Sequence, residues 1–421
     1  MGVFLLFNAK KAKQVKPLRI LMVSWEYPPK IVGGLGRHVE GLSEALIKRG
    51  HQVTVVTADT PKAQEREINH GVEIWRAMPH HPPARDFIES VMQLNFNMVE
   101  KVISLSDSAN QFDVVHVHDW LGAYAGKLFK HAFRLPLIAT IHATEYGRNN
   151  GLHNDLQRHI SDLEWWLCYE AWEVIVCSRY MENEVKHIFG LPADKLKVIP
   201  NGIDPQKMKA PEGADLTEFR SRYASSDEKI ILFVGRLVRE KGVWLIIEAF
   251  QDLLKIVPEA KLIVVGKGPE EMYLRDHTRR LGLEQKIFFT GFIEDKLRNL
   301  LYQVCNVAVF PSLYEPFGIV ALEAMALGKP TIVSDTGGLG EVVKHGSTGL
   351  KFAPGDKRAL ARVLADALLD FDLAQNIAIN GKEEAELYSW DKVAQKTEQV
   401  YRDVIRSAQA GGFSVRLDLG R

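Results

Sequence analysis

The order of apolar runs and helical patterns constrains the fold of this 421-residue chain more than any other feature. Short apolar runs with the length of buried strands alternate with loops and with segments of helical periodicity. In the first half of the chain these runs occupy residues 18–23, 52–57, 72–76, 113–118, 137–142, 174–177 and 196–199. Strands that alternate with helices predict a mostly parallel sheet with helices on both faces.

The same pattern begins again near Ile230, which indicates a second sheet of the same kind. The later runs occupy residues 230–234, 262–265, 287–290, 307–310 and 331–334. We therefore predict an α/β chain of two Rossmann-like domains that face each other across a deep cleft. The predicted division is a first domain at 17–203, a second at 204–385, a helix at 386–407 that crosses back to the first domain, and flexible ends at 1–16 and 408–421.

Charge and cysteine content argue against several classes of protein. Lysine plus arginine equals aspartate plus glutamate at 53 each, whereas a nucleic-acid-binding protein normally shows a basic excess. The three cysteines, at 168, 177 and 305, are widely spaced and match neither a metal site nor a disulfide framework. We therefore expect a reducing, cytoplasmic location. The apolar run at residues 3–7 is too short to cross a membrane, so no integral membrane segment is expected.

Residues 311–326 carry the strongest functional pattern. They follow the apolar run 307–310, which predicts Glu315 in a loop at the carboxyl end of a strand, where open α/β sheets bind ligands. Gly318 is predicted to open a helix whose first free amides suit a phosphate, and Glu323 lies about one turn further in. A carboxylate on such an apolar helix normally needs a partner. Two carboxylates on either side of a helix N-terminus suit a ligand with sugar at both ends and phosphate in the middle.

Two further loops follow the first strand of each series. In the second series, Arg236 and Lys241 are suited to clamp a diphosphate, the first through a fork of hydrogen bonds and the second as a point charge. In the first series, Lys30 precedes Gly33 and Gly34 just before a helix. Glycines there let a ligand approach the backbone and leave amides free, although a tight structural turn explains such a pair equally well.

Histidines at the ends of two strands in the first series raise the alternative of a metal site. The candidate ligands are His116, His118, Asp119, His142 and Glu145. We predict no metal here. Instead, His142 is expected to line the cleft between the domains, His118 and Asp119 to shape their loop, and His116 to be a core residue with satisfied hydrogen bonds.

Together these residues resemble the retaining glycosyltransferases of family 4, which have the two-domain GT-B fold. The resemblance covers about residues 18–405. It rests on Gly33-Gly34, His142, Pro200-Asn201-Gly202, Gly235-Arg236 with Lys241-Gly242, and Glu315-x7-Glu323, of which the last two are specific in combination. Within the family, Lys30-x-x-Gly33-Gly34-Leu35, His118-Asp119-Trp120 and Thr140-Ile141-His142 look most like glycogen and starch synthase relatives.

The resemblance implies a role for each candidate residue. Arg236 and Lys241 would bind the donor diphosphate, Glu323 the ribose hydroxyls, and Glu315 and His142 the hexose. Gly318, Ile319 and Gly34 would offer backbone amides to the donor. Lys30, Gly33 and Gly34 would lie on the acceptor side. The predicted catalytic residues are His142, Glu315, Arg236 and Lys241. Fixed cations would stabilise the leaving diphosphate without a metal or cofactor, and Glu315 would act either as a positioning group or as a nucleophile.

The resulting hypothesis is retaining transfer of a hexose, with glucose preferred, from ADP- or UDP-glucose to the non-reducing end of an α-1,4-glucan. The expected partners are thus a nucleotide sugar and a saccharide acceptor, without nucleic acid. One alternative is a family 4 enzyme that acts on a lipid, a small sugar or a cell-surface polysaccharide. Less favoured alternatives are a nucleotide-sugar 2-epimerase and a binding protein without catalytic activity.

Overall fold

Continuous apolar runs form the central strands, because a parallel sheet covered by helices buries both faces of each strand. The computed structural model describes residues 16–61, 63–78, 83–105, 111–211 and 213–413. The strands of the first sheet are β1 (Arg19–Val23), β2 (Gln52–Ala58), β3 (Arg66–Asn69), β4 (Val72–Ala77), β5 (Val114–His118), β6 (Leu137–Ile141), β7 (Glu173–Val176) and β8 (Leu196–Val198). Their order is β3-β4-β2-β1-β5-β6-β7-β8, and only the β3–β4 pair is antiparallel.

The second sheet repeats this construction with all neighbouring strands parallel. Its strands are β9 (Lys229–Val234), β10 (Ala260–Val265), β11 (Ile287–Gly291), β12 (Val307–Phe310), β13 (Thr331–Ser334) and β14 (Leu350–Phe352). Their order is β11-β10-β9-β12-β13-β14. The direction of winding therefore reverses between β9 and β12, and a crevice at such a switch point is where α/β sheets bind ligands.

Helices connect the strands and cover both sheets. In chain order they are α1 (Gly34–Lys48), α2 (Phe87–Leu105), α3 (Ala123–Ala132), α4 (Glu145–Asn149), α5 (Asp155–Glu170), α6 (Arg179–Phe189), α7 (Leu216–Ser221), α8 (Val243–Leu254), α9 (Glu271–Arg280), α10 (Asp295–Val304), α11 (Ile319–Ala326), α12 (Gly337–Val342), α13 (Lys357–Leu369), α14 (Phe371–Ala385) and α15 (Trp390–Ala410). None of these helices is both long and apolar enough to span a bilayer. The prediction of two Rossmann-like sheets is confirmed.

The sequence pattern failed for two strands, β3 and β14. The β3 strand lies at the edge of the first sheet and is largely exposed. Its sequence, Arg-Glu-Ile-Asn, contains no apolar run. The β14 strand also lies at an edge, that of the second sheet, and its three residues are too short a run to predict a strand. Edge strands have a partner on one side only and are often short or polar.

The last helix, α15, crosses back to the first sheet, as predicted. Its buried side chains Val393, Val400 and Tyr401 pack into the same core cluster as residues of β1 and β2. The Tyr401 hydroxyl also lies 2.7 Å from Nδ1 of His116, a β5 residue that is fully buried. This hydrogen bond joins two side chains 285 positions apart in the sequence and fixes the last helix on the first sheet.

The C-terminal boundary differs from the prediction, because α15 continues to Ala410 instead of ending at 407. Ala408 is fully buried, and Arg134 donates hydrogen bonds to the carbonyl oxygens of Gly412 and Phe413. Packing and capping of this kind order the chain past the predicted end. The predicted flexible ends otherwise fall on residues 1–15 and 414–421, which lie outside the described residues.

We predict that Tyr401→Phe lowers the free energy of unfolding by about 1–3 kcal/mol, because it leaves a buried His116 nitrogen without its partner. Tyr169→Phe is the matched control, since Tyr169 is exposed. Urea unfolding of the two variants measures the difference. Equal stability of the two variants would show that the His116–Tyr401 hydrogen bond does not hold the crossing helix.

Candidate active site

Two loops of the second sheet lie side by side at the switch point between β9 and β12. One follows β9 and the other follows β12. The Leu313 amide donates to the Glu240 carbonyl oxygen over 2.7 Å. Gly242 has a φ of +67°, and a Cβ placed on it would lie 2.1 Å from the carbonyl oxygen of Pro311. Only glycine permits both this conformation and this close approach of the two loops.

These loops join Lys241 to Glu315, two of the predicted catalytic residues. Nζ of Lys241 lies 2.6 Å from Oε2 of Glu315, which also accepts a hydrogen bond from the buried Ser312 hydroxyl at 3.2 Å. The side chains of the pair are 24% and 10% exposed, so one edge remains open to the cleft. The arrangement holds a fixed carboxylate and a fixed cation at one point.

Arg236 lies in the same loop as Lys241, and α11 begins just after the loop that contains Glu315. Arg236 is exposed and forms no hydrogen bond or ion pair with any residue of the described segments. Gly318 caps α11 with a φ of +97°, and a Cβ on it would lie 2.4 Å from the Leu339 side chain. The first amides of a helix lack intrahelical partners, so those at Ile319 and beyond are suited to bind an anion.

Glu323, on α11, is buried and has the partners that its apolar surroundings require. Its carboxylate accepts a hydrogen bond from the Tyr302 hydroxyl at 3.3 Å and lies 3.8 Å from the Arg298 guanidinium. Burial raises the pKa of Tyr302 well above its usual value, and the Glu323 carboxylate raises it further. The prediction that this carboxylate is partnered is therefore confirmed.

The glycine loop of the first sheet is organised by Glu26, a residue that the sequence analysis missed. Oε2 of Glu26 accepts hydrogen bonds from the amides of Val32 and Gly33 at 2.8 and 3.0 Å. Burial raises the pKa of Glu26, while these amides and that of Gly36 oppose the shift. The expectation that the glycine amides stay free is thus wrong for Gly33, because a buried carboxylate needs donors and takes the nearest ones.

Gly34 brings the first-sheet loop against the second-sheet site. It is the first residue of α1, and a Cβ on it would lie 3.4 Å from Cδ1 of Ile319. Lys30, in the same loop, is half-buried, and its Nζ lies 5.3 Å from the centroid of the Trp25 ring. The glycine loop of the first sheet therefore faces the start of α11.

Of the five candidate metal ligands, His116, Asp119 and Glu145 do not converge with His118 and His142. Both ring nitrogens of His116 are used, by the hydroxyls of Tyr401 and Thr140 at 2.7 Å each, which confirms the prediction of a satisfied core residue. The Glu145 carboxylate accepts a hydrogen bond from Asn149. His142, in contrast, is half-buried, and its Nε2 lies 3.3 Å from Nδ1 of His118.

Asp119 positions the backbone at His142. It is buried, has a φ of +60°, and accepts a hydrogen bond from the His142 amide at 2.7 Å. A non-glycine residue in this conformation is uncommon, and an aspartate tolerates it better than most. Burial raises the pKa of Asp119 to about 6, against the opposing effects of Arg148 and two backbone amides. The prediction that Asp119 shapes this loop is confirmed.

Polar contacts also fix the His142 loop against the Glu315 loop. The Glu184 carboxylate accepts hydrogen bonds from the hydroxyls of Tyr314 and Thr144 at 2.8 and 2.7 Å. The Ser178 hydroxyl donates to the carbonyl oxygen of Pro316 at 2.6 Å. The sequence gives no signal for these contacts, because each joins residues more than 30 positions apart.

Comparisons with known proteins agree with this geometry. The models for "Glycosyltransferase Family 4" and "Glycosyl transferases group 1" match residues 32–207 and 215–384. An uncharacterized glycosyltransferase of Methanocaldococcus jannaschii is 39% identical over 91% of this chain and 98% of its own length. A glycogen synthase of Mycobacterium tuberculosis is 36% identical over 91% of this chain and 94% of its own. The solved sucrose-phosphate synthase from Thermosynechococcus elongatus has a TM-score of 0.80 at 27% identity, covering 93% of this chain and all of that one.

We predict a pH-dependent stability difference for Asp119→Asn. Since the folded pKa of Asp119 is about 6 and the ordinary value is 3.8, the folded chain binds this proton more tightly than the unfolded chain. Its contribution to stability is therefore lost as the pH rises from about 4 to about 6. Relative to the wild type, Asp119→Asn should gain about 1–3 kcal/mol of unfolding free energy between those pH values.

Urea unfolding at several pH values measures this gain. Asp372→Asn, which neutralises an exposed carboxylate, is the control and should show no comparable trend. A constant difference between Asp119→Asn and the wild type across the range would contradict the raised pKa.

Proposed function

The chain belongs to glycosyltransferase family 4, and from that premise we propose that it transfers a hexose from a nucleotide sugar to a saccharide with retention of configuration. The donor is ADP- or UDP-glucose, and the acceptor is the non-reducing end of an α-1,4-glucan. The observation that carries this proposal is the pairing of Lys241 with Glu315 beside the exposed Arg236 at the switch point of the second sheet.

The donor diphosphate lies between Arg236 and Lys241 in this proposal. Arg236 has no competing partner among the described residues, and Lys241 is held in place by Glu315. The amides of Gly318 and Ile319 add partial positive charge at the start of α11. Two cations and a helix N-terminus on one side of the cleft match the charge and shape of a diphosphate.

The sugar ends of the donor are bound by the two buried carboxylates. Glu323 accepts hydrogen bonds from the ribose hydroxyls, since Tyr302 and Arg298 orient this carboxylate. Glu315 contacts the hexose, which His142 approaches from the first sheet. The 2.6 Å contact with Lys241 makes Glu315 a poor nucleophile and a good positioning group, because its negative charge is already neutralised in part.

Charge separation explains why such a site catalyses transfer. Breaking the sugar–phosphate bond develops positive charge on the anomeric carbon and negative charge on the leaving diphosphate. Fixed donors such as Arg236 and Lys241 stabilise the diphosphate, and losing one such donor typically costs about 3–4 kcal/mol. The acceptor hydroxyl attacks from the face of the leaving group, and the departing phosphate takes its proton. No metal or cofactor takes part in this mechanism.

The proposal of an α-1,4-glucan as the acceptor rests on similarity to a known enzyme. A glycogen synthase is 36% identical to this chain over nearly all of both sequences. The acceptor enters beside Lys30, Gly33 and Gly34, where the first-sheet loop faces α11. Because Glu26 already holds the Gly33 amide, this loop binds the acceptor through its shape and through Gly34.

Nucleotide release from ADP-, UDP- and GDP-glucose, each with and without a malto-oligosaccharide, tests the proposal. We expect release from ADP- or UDP-glucose to rise with the oligosaccharide and to lengthen it. Release from one donor without this response would refute the glucan acceptor and favour a lipid, a small sugar or a surface polysaccharide. Absence of both release and binding for all donors would refute hexosyl transfer.

Lys241→Ala should lower kcat/KM at least about a hundredfold, because the diphosphate loses one of its two cations. Circular dichroism should show that the variant remains folded. Arg239→Ala is the matched control, since it removes an exposed cation from the same short turn and should keep near-normal activity. Near-normal activity of Lys241→Ala would remove Lys241 from the diphosphate site.

Chelation tests the metal-independent mechanism. Transfer after extensive dialysis against EDTA should proceed at least as fast as before, because fixed side chains supply the positive charge. The measurement is the initial rate of nucleotide release, with EDTA alone as a control on the coupling assay. Loss of activity that a divalent ion restores would overturn this part of the proposal.

A further inference from the structure

Three histidines from separate parts of the first sheet converge next to the proposed hexose site. His38 comes from α1, His118 ends β5, and His142 follows β6. One ring nitrogen of each lies within 4.8 Å of a ring nitrogen of each of the others. The ring centroids of His38 and His142 are 4.7 Å apart, and those of His38 and His118 are 5.3 Å apart. His38 is not among the candidate metal ligands that the sequence suggests.

Two nitrogens of this three-histidine cluster are buried and have no hydrogen-bond partner among the described residues. They are Nε2 of His38 and Nε2 of His118, on side chains that are 2% and 0% exposed. A buried nitrogen without a partner requires an explanation, and an ion among the three rings would satisfy Nε2 of His38. Nε2 of His118 would carry the proton of a ring that binds the ion through Nδ1. His116, which is adjacent to His118, has both nitrogens satisfied. Because Nε2 atoms of His51 and His277 also lack hydrogen bonds in the described parts of the chain, it is the convergence of the three rings that points to a metal.

A hydrogen bond to Asn201 leaves one ring nitrogen of His38 free to bind a cation. Nδ1 of His38 lies 2.6 Å from the Oδ1 atom of the buried Asn201, an acceptor. The proton of His38 is therefore on Nδ1, and the lone pair of Nε2 is free. A second-shell partner of this kind fixes the tautomer of a metal-binding histidine.

The spacing of the cluster fits a tetrahedral ion. Nδ1 of His118 and Nε2 of His142 are 3.3 Å apart. Two nitrogen ligands of zinc, each about 2.0–2.1 Å from the metal, are separated by about 3.3 Å in a tetrahedral site. A ring nitrogen of His38 lies within 4.8 Å of ring nitrogens of both, so His38 is the third ligand once its ring moves toward the other two.

We propose that His38, His118 and His142 form a binding site for a divalent transition metal of the zinc type. Three nitrogen ligands favour zinc, copper or nickel over magnesium and calcium, which require oxygen. His142 is half-buried, so a fourth position faces the cleft and accepts water. The buried Asp119 carboxylate, bound to the His142 amide, offsets part of the positive charge.

Metal and donor compete for His142, and this consequence rests on the proposed function. A ring that coordinates zinc is no longer available to contact the hexose. Zinc therefore inhibits a transfer reaction that itself needs no metal, and the nucleotide sugar weakens zinc binding by the same factor. The histidine cluster makes the enzyme sensitive to free zinc.

Isothermal titration of the full-length, EDTA-dialysed protein with zinc chloride tests the site without reference to activity. We expect one zinc ion per chain, and cobalt(II) should give the intense visible absorption of a tetrahedral complex. His38→Gln should weaken zinc binding at least about tenfold. His131→Gln, which removes an exposed imidazole, is the control and should bind zinc as the wild type does.

Wild-type protein that takes up no zinc, or His38→Gln that binds it as tightly as the wild type, would overturn the proposal. If His38→Gln does not fold, the cobalt spectrum of the wild type still decides, because an octahedral spectrum contradicts a three-histidine site. Zinc binding without transfer in any donor assay would leave the metal site standing and refute the proposed reaction. Zinc binding that ADP- or UDP-glucose does not weaken would refute the competition at His142.

Discussion

The ion pair between Lys241 and Glu315 is the interaction on which the proposed chemistry depends. It forms because β9 and β12 are neighbours at the point where the winding of the second sheet reverses, so the loops after them meet. Gly242 lets those loops approach within van der Waals contact. Neither charge is stable alone in a partly buried loop, and each fixes the other at the position where a diphosphate and a hexose would join.

Loops of the first sheet give the candidate site its shape and its hydrogen-bonding groups, whereas loops of the second sheet give it its charged residues. Glu26 holds the glycine loop, Asp119 holds the backbone of His142, and α15 is fixed to the same sheet through Tyr401. Glu184 then connects the two sides by binding hydroxyls from both. Pre-shaped loops of the first sheet therefore face the charged residues of the second sheet.

Local sequence was sufficient for features that depend on local periodicity. It predicted β12 and β13 with their observed bounds, and it predicted that Glu323 would need a partner. It did not identify Arg298 as that partner, nor the role of Glu26, because such contacts depend on which loops the sheets bring together. His38 shows the same limit, since a lone histidine on an amphipathic helix has no pattern that connects it to His118.

A crystal structure of the protein with ADP and with UDP would locate the nucleotide without assuming an acceptor. We expect the diphosphate between Arg236 and Lys241, with the ribose hydroxyls on Glu323. Lys241 should keep or share its contact with Glu315. A nucleotide bound elsewhere, or a diphosphate that touches neither cation, would refute the proposed donor site.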